Sequence, residues 1–141
     1  MAPLPPDDRA AIEALADTLS ASANTLHRRL LRALRQPPGL AQAEAQTMFD
    51  QEVALRQRAN SLYLSAARLA AAGLGGLGQQ LREASERAKV QIEQIEKLKG
   101  MLAIVGELLT LGAALAAGKP EQMLAPMEKI KHQLDALPPS A

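Results

Sequence analysis

Seventeen consecutive residues, Met101 to Ala117, carry a single charge, Glu107. If that stretch is helical it is apolar around its whole circumference, and such a helix must be surrounded by lipid or by other helices. Which of the two surrounds it constrains what the rest of the chain can fold into.

Composition settles the type of element. Among 141 residues there are 28 Ala and 24 Leu but only three Val and five Ile, and Phe49 and Tyr63 are the only aromatics. Strands favour β-branched and aromatic side chains, whereas Ala and Leu lead the helix scale. An all-α chain is therefore expected, of a length that forms one domain over residues 1–141, with 1–7 and 138–141 as flexible tails.

Turn signals divide the chain. A first helix is expected from about 8 to 35, capped by Asp7 or Asp8 and stopped at Pro37-Pro38-Gly39. Its apolar stripe runs Ile12, Leu15, Leu19, Ala23, Leu26, Leu30 at spacings of three and four. A second helix, about 41 to 72, repeats Met48, Leu55, Leu62 and Leu69 every seven residues and ends at Gly73-Leu74-Gly75-Gly76. Leu81, Ala84, Ala88, Ile95, Leu98, Leu102, Val105 and Leu109 then keep one heptad register. That continuity predicts one long central helix over about 77–117, bent at most at Gly100, roughly 60 Å at 1.5 Å per residue. Arg82–Glu86, Glu83–Arg87 and Glu93–Lys97 lie four apart and support its exposed half. Gly118-Lys119-Pro120 breaks the chain. A last helix over about 120–137 is expected to kink, or to begin, near Pro126. The predicted fold is an up-down four-helix bundle with a long third and a kinked fourth helix.

Magnitudes decide between lipid and protein around 101–117. Seven strongly apolar residues at roughly −0.5 kcal/mol each favour insertion by about 3.5 kcal/mol, and an acid near the centre costs about 2.5 kcal/mol or more. Gly106, Gly112 and Thr110 erode the remainder, and seventeen residues are the short limit for a span. Helices one, two and four wrapped around the latter half of helix three explain its composition better. Glu107 would then either lie in or near the core, with Arg29 or Arg32 as the expected partner, or look out to solvent between helices.

Most chemistries are excluded. There is no cysteine, hence no disulfide or thiolate site. The net charge of +1 argues against nucleic acid as a ligand. Glu128, His132 and Asp135 share a helix face, but the only other histidine is His27, too few ligands for a metal. No nucleophile–base pair and no phosphate loop occur, so no enzyme and no cofactor are expected. The first residues lack the basic start and apolar run of a secretory signal, which leaves a cytoplasmic protein as the expectation, with export by a specialised secretion system compatible.

Two surfaces remain as candidates for partner binding. Arg28, Arg29, Arg32 and Arg35 give residues 21–40 a charge of +4 where residues 1–20 carry −3, an arrangement that complements the helix dipole and marks where an acidic partner would attach. Leu77, Leu81, Ala84, Ala88, Ile92 and Ile95 lie where only three helices would overlap, and a partner helix or a second copy would complete that open groove. The expectation is a bacterial protein-binding module of the immunity-protein, secretion-chaperone or adaptor kind. The alternative is a membrane-active protein that inserts 101–117 with helix four as a hairpin.

Overall fold

A computed structural model describes residues 7–137, and those residues are all-helical without a strand. Five helices alternate in direction: α1 (Asp8–Arg35), α2 (Gln42–Ala72), α3 (Gly78–Ile92), α4 (Leu98–Ala116) and α5 (Leu124–Asp135). Contacts at the ends fix the alternation. Leu74, between α2 and α3, donates its N–H to Asp8 Oδ2 at 3.2 Å, which places the start of α3 beside the start of α1. Arg29 reaches the Glu93 carbonyl at 3.2 Å, so α3 finishes near the end of α1. Gly75 lies against Pro120, which brings the end of α4 back to the Asp8 end. Around the bundle the helices pack in the ring α1–α2–α4–α5–α3, and α1 also touches α4 across the interior.

Local signals explain most of the boundaries. Asp7 accepts the Ala10 N–H at 3.0 Å as the N-cap of α1. After α2, Gly73, Gly75 and Gly76 take positive φ, and Leu74 between them is buried. α4 ends in a Schellman motif: Lys119 N donates to Ala114 O at 3.1 Å and Gly118 N to Leu115 O at 3.0 Å, with Gly118 at φ 71°. A short 3-10 turn, Pro120–Gln122, leads into α5. Pro126 sits in the first turn of α5, where its missing N–H would have had no partner within the helix, so α5 needs no kink.

The long third helix is corrected by the structure. The chain reverses at 93–97, and the predicted rod over 77–117 is two antiparallel helices. A rod of about 60 Å would outreach α1, whose 28 residues span about 42 Å, and leave roughly its last dozen residues beyond that helix. Folding back buries Met101, Ile104, Val105, Leu108, Leu111 and Leu115, each stabilising by about 1.5–3 kcal/mol relative to exposure. Tertiary contacts hold the reversal without glycine or proline. Ile95 is buried at its centre, Arg29 satisfies the Glu93 carbonyl, and Arg28 lies 3.6 Å from the Glu93 carboxylate. Two of the expected i,i+4 pairs give way to contacts between elements. Arg87 pairs with Asp135 of α5 at 2.6 Å and Glu93 with Arg28, while Arg82–Glu86 forms at 3.0 Å as expected.

α4 is enclosed by α1, α2 and α5, though not around its whole circumference. Its large side chains face inward. After Lys99 its exposed positions carry only small residues, Ala103, Thr110 and Ala113, with Gly106 half-exposed beside them. Glu107 is half-buried and enters no ion pair among the described residues, so the expected pairing with Arg29 or Arg32 does not form.

Candidate partner-binding surface

The groove expected along α3 is filled. Leu81, Ala88 and Ile92 are 0% exposed and Ile95 is 4%, with Leu77 and Ala84 half-buried. α5 packs against α3 and supplies the wall that a bundle with one long helix would have lacked. Leu62, Leu69 and Leu74 are core residues as well. Most of these side chains are core residues that hold the bundle together.

The arginine end differs. On α1, Leu31 and Leu34 are 38% and 53% exposed; on α2, Phe49 and Val53 are 50% and 38% exposed. His27 Nδ1 lies 3.0 Å from Glu52 Oε1, which fixes the alignment of the two helices. From that contact Leu31 is one turn and Leu34 two turns further along α1, while Phe49 is one turn back along α2. The exposed apolar residues therefore share the outward side of the α1–α2 hairpin near its connection.

The core registers leave these residues no inward position. The buried stripe of α1 ends Leu26, Leu30, and Leu31 and Leu34 fall to one side of it. In α2 the buried set is Met48, Glu52, Leu55, Ala59, Leu62, which turns Phe49 and Val53 outward. Beneath them the polar contacts are satisfied. Glu52 accepts from Arg56 Nε at 3.1 Å as well as meeting His27, and Arg56 Nη1 donates to Asn24 at 3.0 Å.

Arg28, Arg32 and Arg35 recur at i, i+4 and i+7 and so form one row along α1, adjacent to the row His27–Leu31–Leu34. Arg28 also donates to Thr25 Oγ1 at 3.2 Å. Arg32 and Arg35 enter no ion pair among the described residues. Arg29, half-buried, turns toward α3. Burial, then repulsion from Arg32 and Arg28, lowers its pKa from the usual arginine range, with Glu96 opposing. The cluster is thus a crowded positive charge that its own chain neutralises only in part.

Other candidates carry less chemistry. Glu128 and His132 are exposed and Asp135 is engaged by Arg87, and no group of three potential metal ligands occurs among the described residues. A shallow groove of about 420 Å³ between α2 and α4 is lined by Ala54, Gln57, Arg58, Ser61 and Leu109. It holds one cation and no acid or base to work with it.

The arginines are legible in the sequence. The apolar half of the surface was not singled out, although Phe49, Leu31 and Leu34 stand off the core stripes and that signal was available. Comparison with family models, with curated proteins and with solved structures gives no match.

Proposed function

We propose that this protein is a non-enzymatic module that binds another protein, in the manner of an immunity protein, secretion chaperone or adaptor, and that it does so through the outward side of the α1–α2 hairpin. The observation that carries this reading is the coincidence of four exposed large apolar side chains with a row of arginines, two of which enter no ion pair among the described residues. Apolar centres rimmed by arginine are the usual anatomy of protein interfaces. Single exposed leucines are ordinary on any surface, but here the exposed apolar residues of two helices converge.

The test is quantitative affinity capture from the native host with the wild-type chain and a Leu31→Asp/Phe49→Asp variant. A protein retained by the first and lost by the second, with helicity unchanged by circular dichroism, supports the reading. Equal retention by both overturns it.

A second reading has one observation in its favour: α4 is long and apolar enough, by length and composition, to cross a membrane. Insertion would require α4 to surrender its contacts with α1, α2 and α5. Dye release from liposomes at neutral and acidic pH separates the two readings. Leakage abolished by Leu108→Asp, in a variant that keeps its helicity, favours insertion.

A further inference from the structure

We infer that the occupant of the α1–α2 surface is an amphipathic helix of a partner protein, acidic along one flank, and this inference rests on the binding-module reading above. The argument is the order of the charges. Arg28, Arg32 and Arg35 span about 10 Å in a straight row, because seven residues of helix rise 1.5 Å each. Their apolar neighbours Leu31 and Leu34 run parallel to them, one residue earlier in each turn. A helix laid along the hairpin repeats the same rise. It sets leucine-like residues at i, i+4 and i+7 over Leu31, Leu34 and Phe49, and places its acids at the same spacing against the arginines.

The far flank of the surface is not basic. Asp50, which accepts a hydrogen bond from Gln46 at 2.8 Å, stands on α2 beyond Phe49. A phosphate chain or a uniformly anionic membrane would meet repulsion there, whereas a helix with one acidic flank would not. A second copy of the chain would set against the three arginines either the same basic row or the flank of Asp50, a single acid. One-sided positive charge beside an apolar strip is complementary to one kind of ligand, a helix whose negative charge is one-sided too.

The experiment is selection from a displayed library of amphipathic helices whose apolar stripe is fixed and whose flanking positions vary among Glu, Lys and Gln. The intact protein is the bait and the Leu31→Asp/Phe49→Asp variant the counter-selection. Winners are expected to carry Glu at i, i+4 and i+7 on one flank. They are expected to lose about tenfold or more in affinity against an Arg28→Glu/Arg32→Glu/Arg35→Glu variant. Helices with those acids replaced by Lys should recover binding to that variant. Winners without an acidic flank, or winners indifferent to the arginine substitutions, overturn the inference. So does tighter binding to vesicles of phosphatidylglycerol than to any selected helix, or a dimer in sedimentation velocity that the leucine and phenylalanine substitutions dissolve. Should selection fail while capture from the host still depends on Leu31 and Phe49, the binding module stands and the acidic helix falls. Should both fail, neither survives.

Discussion

The two ends of the α1–α2 hairpin are built from the same two helices and finish in opposite ways. At the Asp8 end the polar groups are consumed internally. Asp7 caps α1, Asp8 accepts the Leu74 N–H and lies over Gly78, Tyr63 donates to Asp17, and Gly75 meets Pro120. At the Arg35 end, four large apolar side chains face solvent, and Arg32 and Arg35 have no ion-pair partner among the described residues. Leu64 is 89% exposed in the other half of α2, but only at the Arg35 end do exposed large apolar residues of both helices lie beside a row of arginines, and function is sought there.

Three measurements would sharpen or break this contrast. The largest effect is expected from truncating apolar side chains at each end. Leu15→Ala, at a fully buried position, should destabilise by about 2–5 kcal/mol. Leu34→Ala, half-exposed, should stay within about 0.5 kcal/mol. Denaturant melts of the two variants decide it, and comparable losses would mean that the Arg35 end is packed as tightly as the other.

An intermediate effect is expected at Gly78. A Cβ there would overlap Asp8 Oδ1, so Gly78→Ala should destabilise by about 1–3 kcal/mol. In an Asp8→Ala background the penalty should shrink to within about 0.5 kcal/mol, because the obstructing carboxylate has gone. Additive losses in the double-mutant cycle would show that the two residues do not meet.

The smallest effect concerns Tyr63. Burial first, then its hydrogen bond to Asp17, pushes the phenol up to about 12 from 10.0. The folded state therefore holds the proton more tightly than the unfolded chain. Its contribution is complete below pH 10 and fades as pH climbs from 10 towards 12. Spectrophotometric titration should place the phenolate near 12, and Asp17→Asn should lower that midpoint without restoring 10, since burial remains. An unchanged midpoint in Asp17→Asn would remove the hydrogen bond from the account.

Where a boundary is encoded by a residue's own backbone chemistry, it was readable. Asp7, Gly39, Gly73, Gly118 and Pro126 marked the ends of α1, α2, α4 and the start of α5 to within a few residues. The reversal at 93–97 has no such residue. The apparent heptad from Leu81 through Leu109 also disguised it. The buried large residues of α4 are Met101, Ile104, Val105, Leu108, Leu111 and Leu115; apart from Val105 they fall one position earlier than that register, while Leu102 and Leu109 are only half-buried. Ile95 to Met101 is six residues where seven would continue the pattern. In the sequence Leu102 stands seven after Ile95, so only the burial pattern shows that one seam ends and a second begins.

The unmatched ends follow from the same distinction. Periodicity names the residues that want to be inside: the stripes it marks, Ile12 to Leu30 on α1 and Met48 to Leu69 on α2, are in the core. What it cannot name is which neighbour covers each one, because burial is non-directional and any apolar surface serves. The chain's composition and spacing determined that it forms helices, where most begin and end, and which faces seek cover. Only the tertiary structure decided that 101–117 folds back beside α2, that α5 closes the face of α3, and that Leu31, Leu34, Phe49 and Val53 remain outside. Those outcomes depend on contacts between residues distant in sequence, such as Arg28 with Glu93 and His27 with Glu52, whose meeting no local pattern announces.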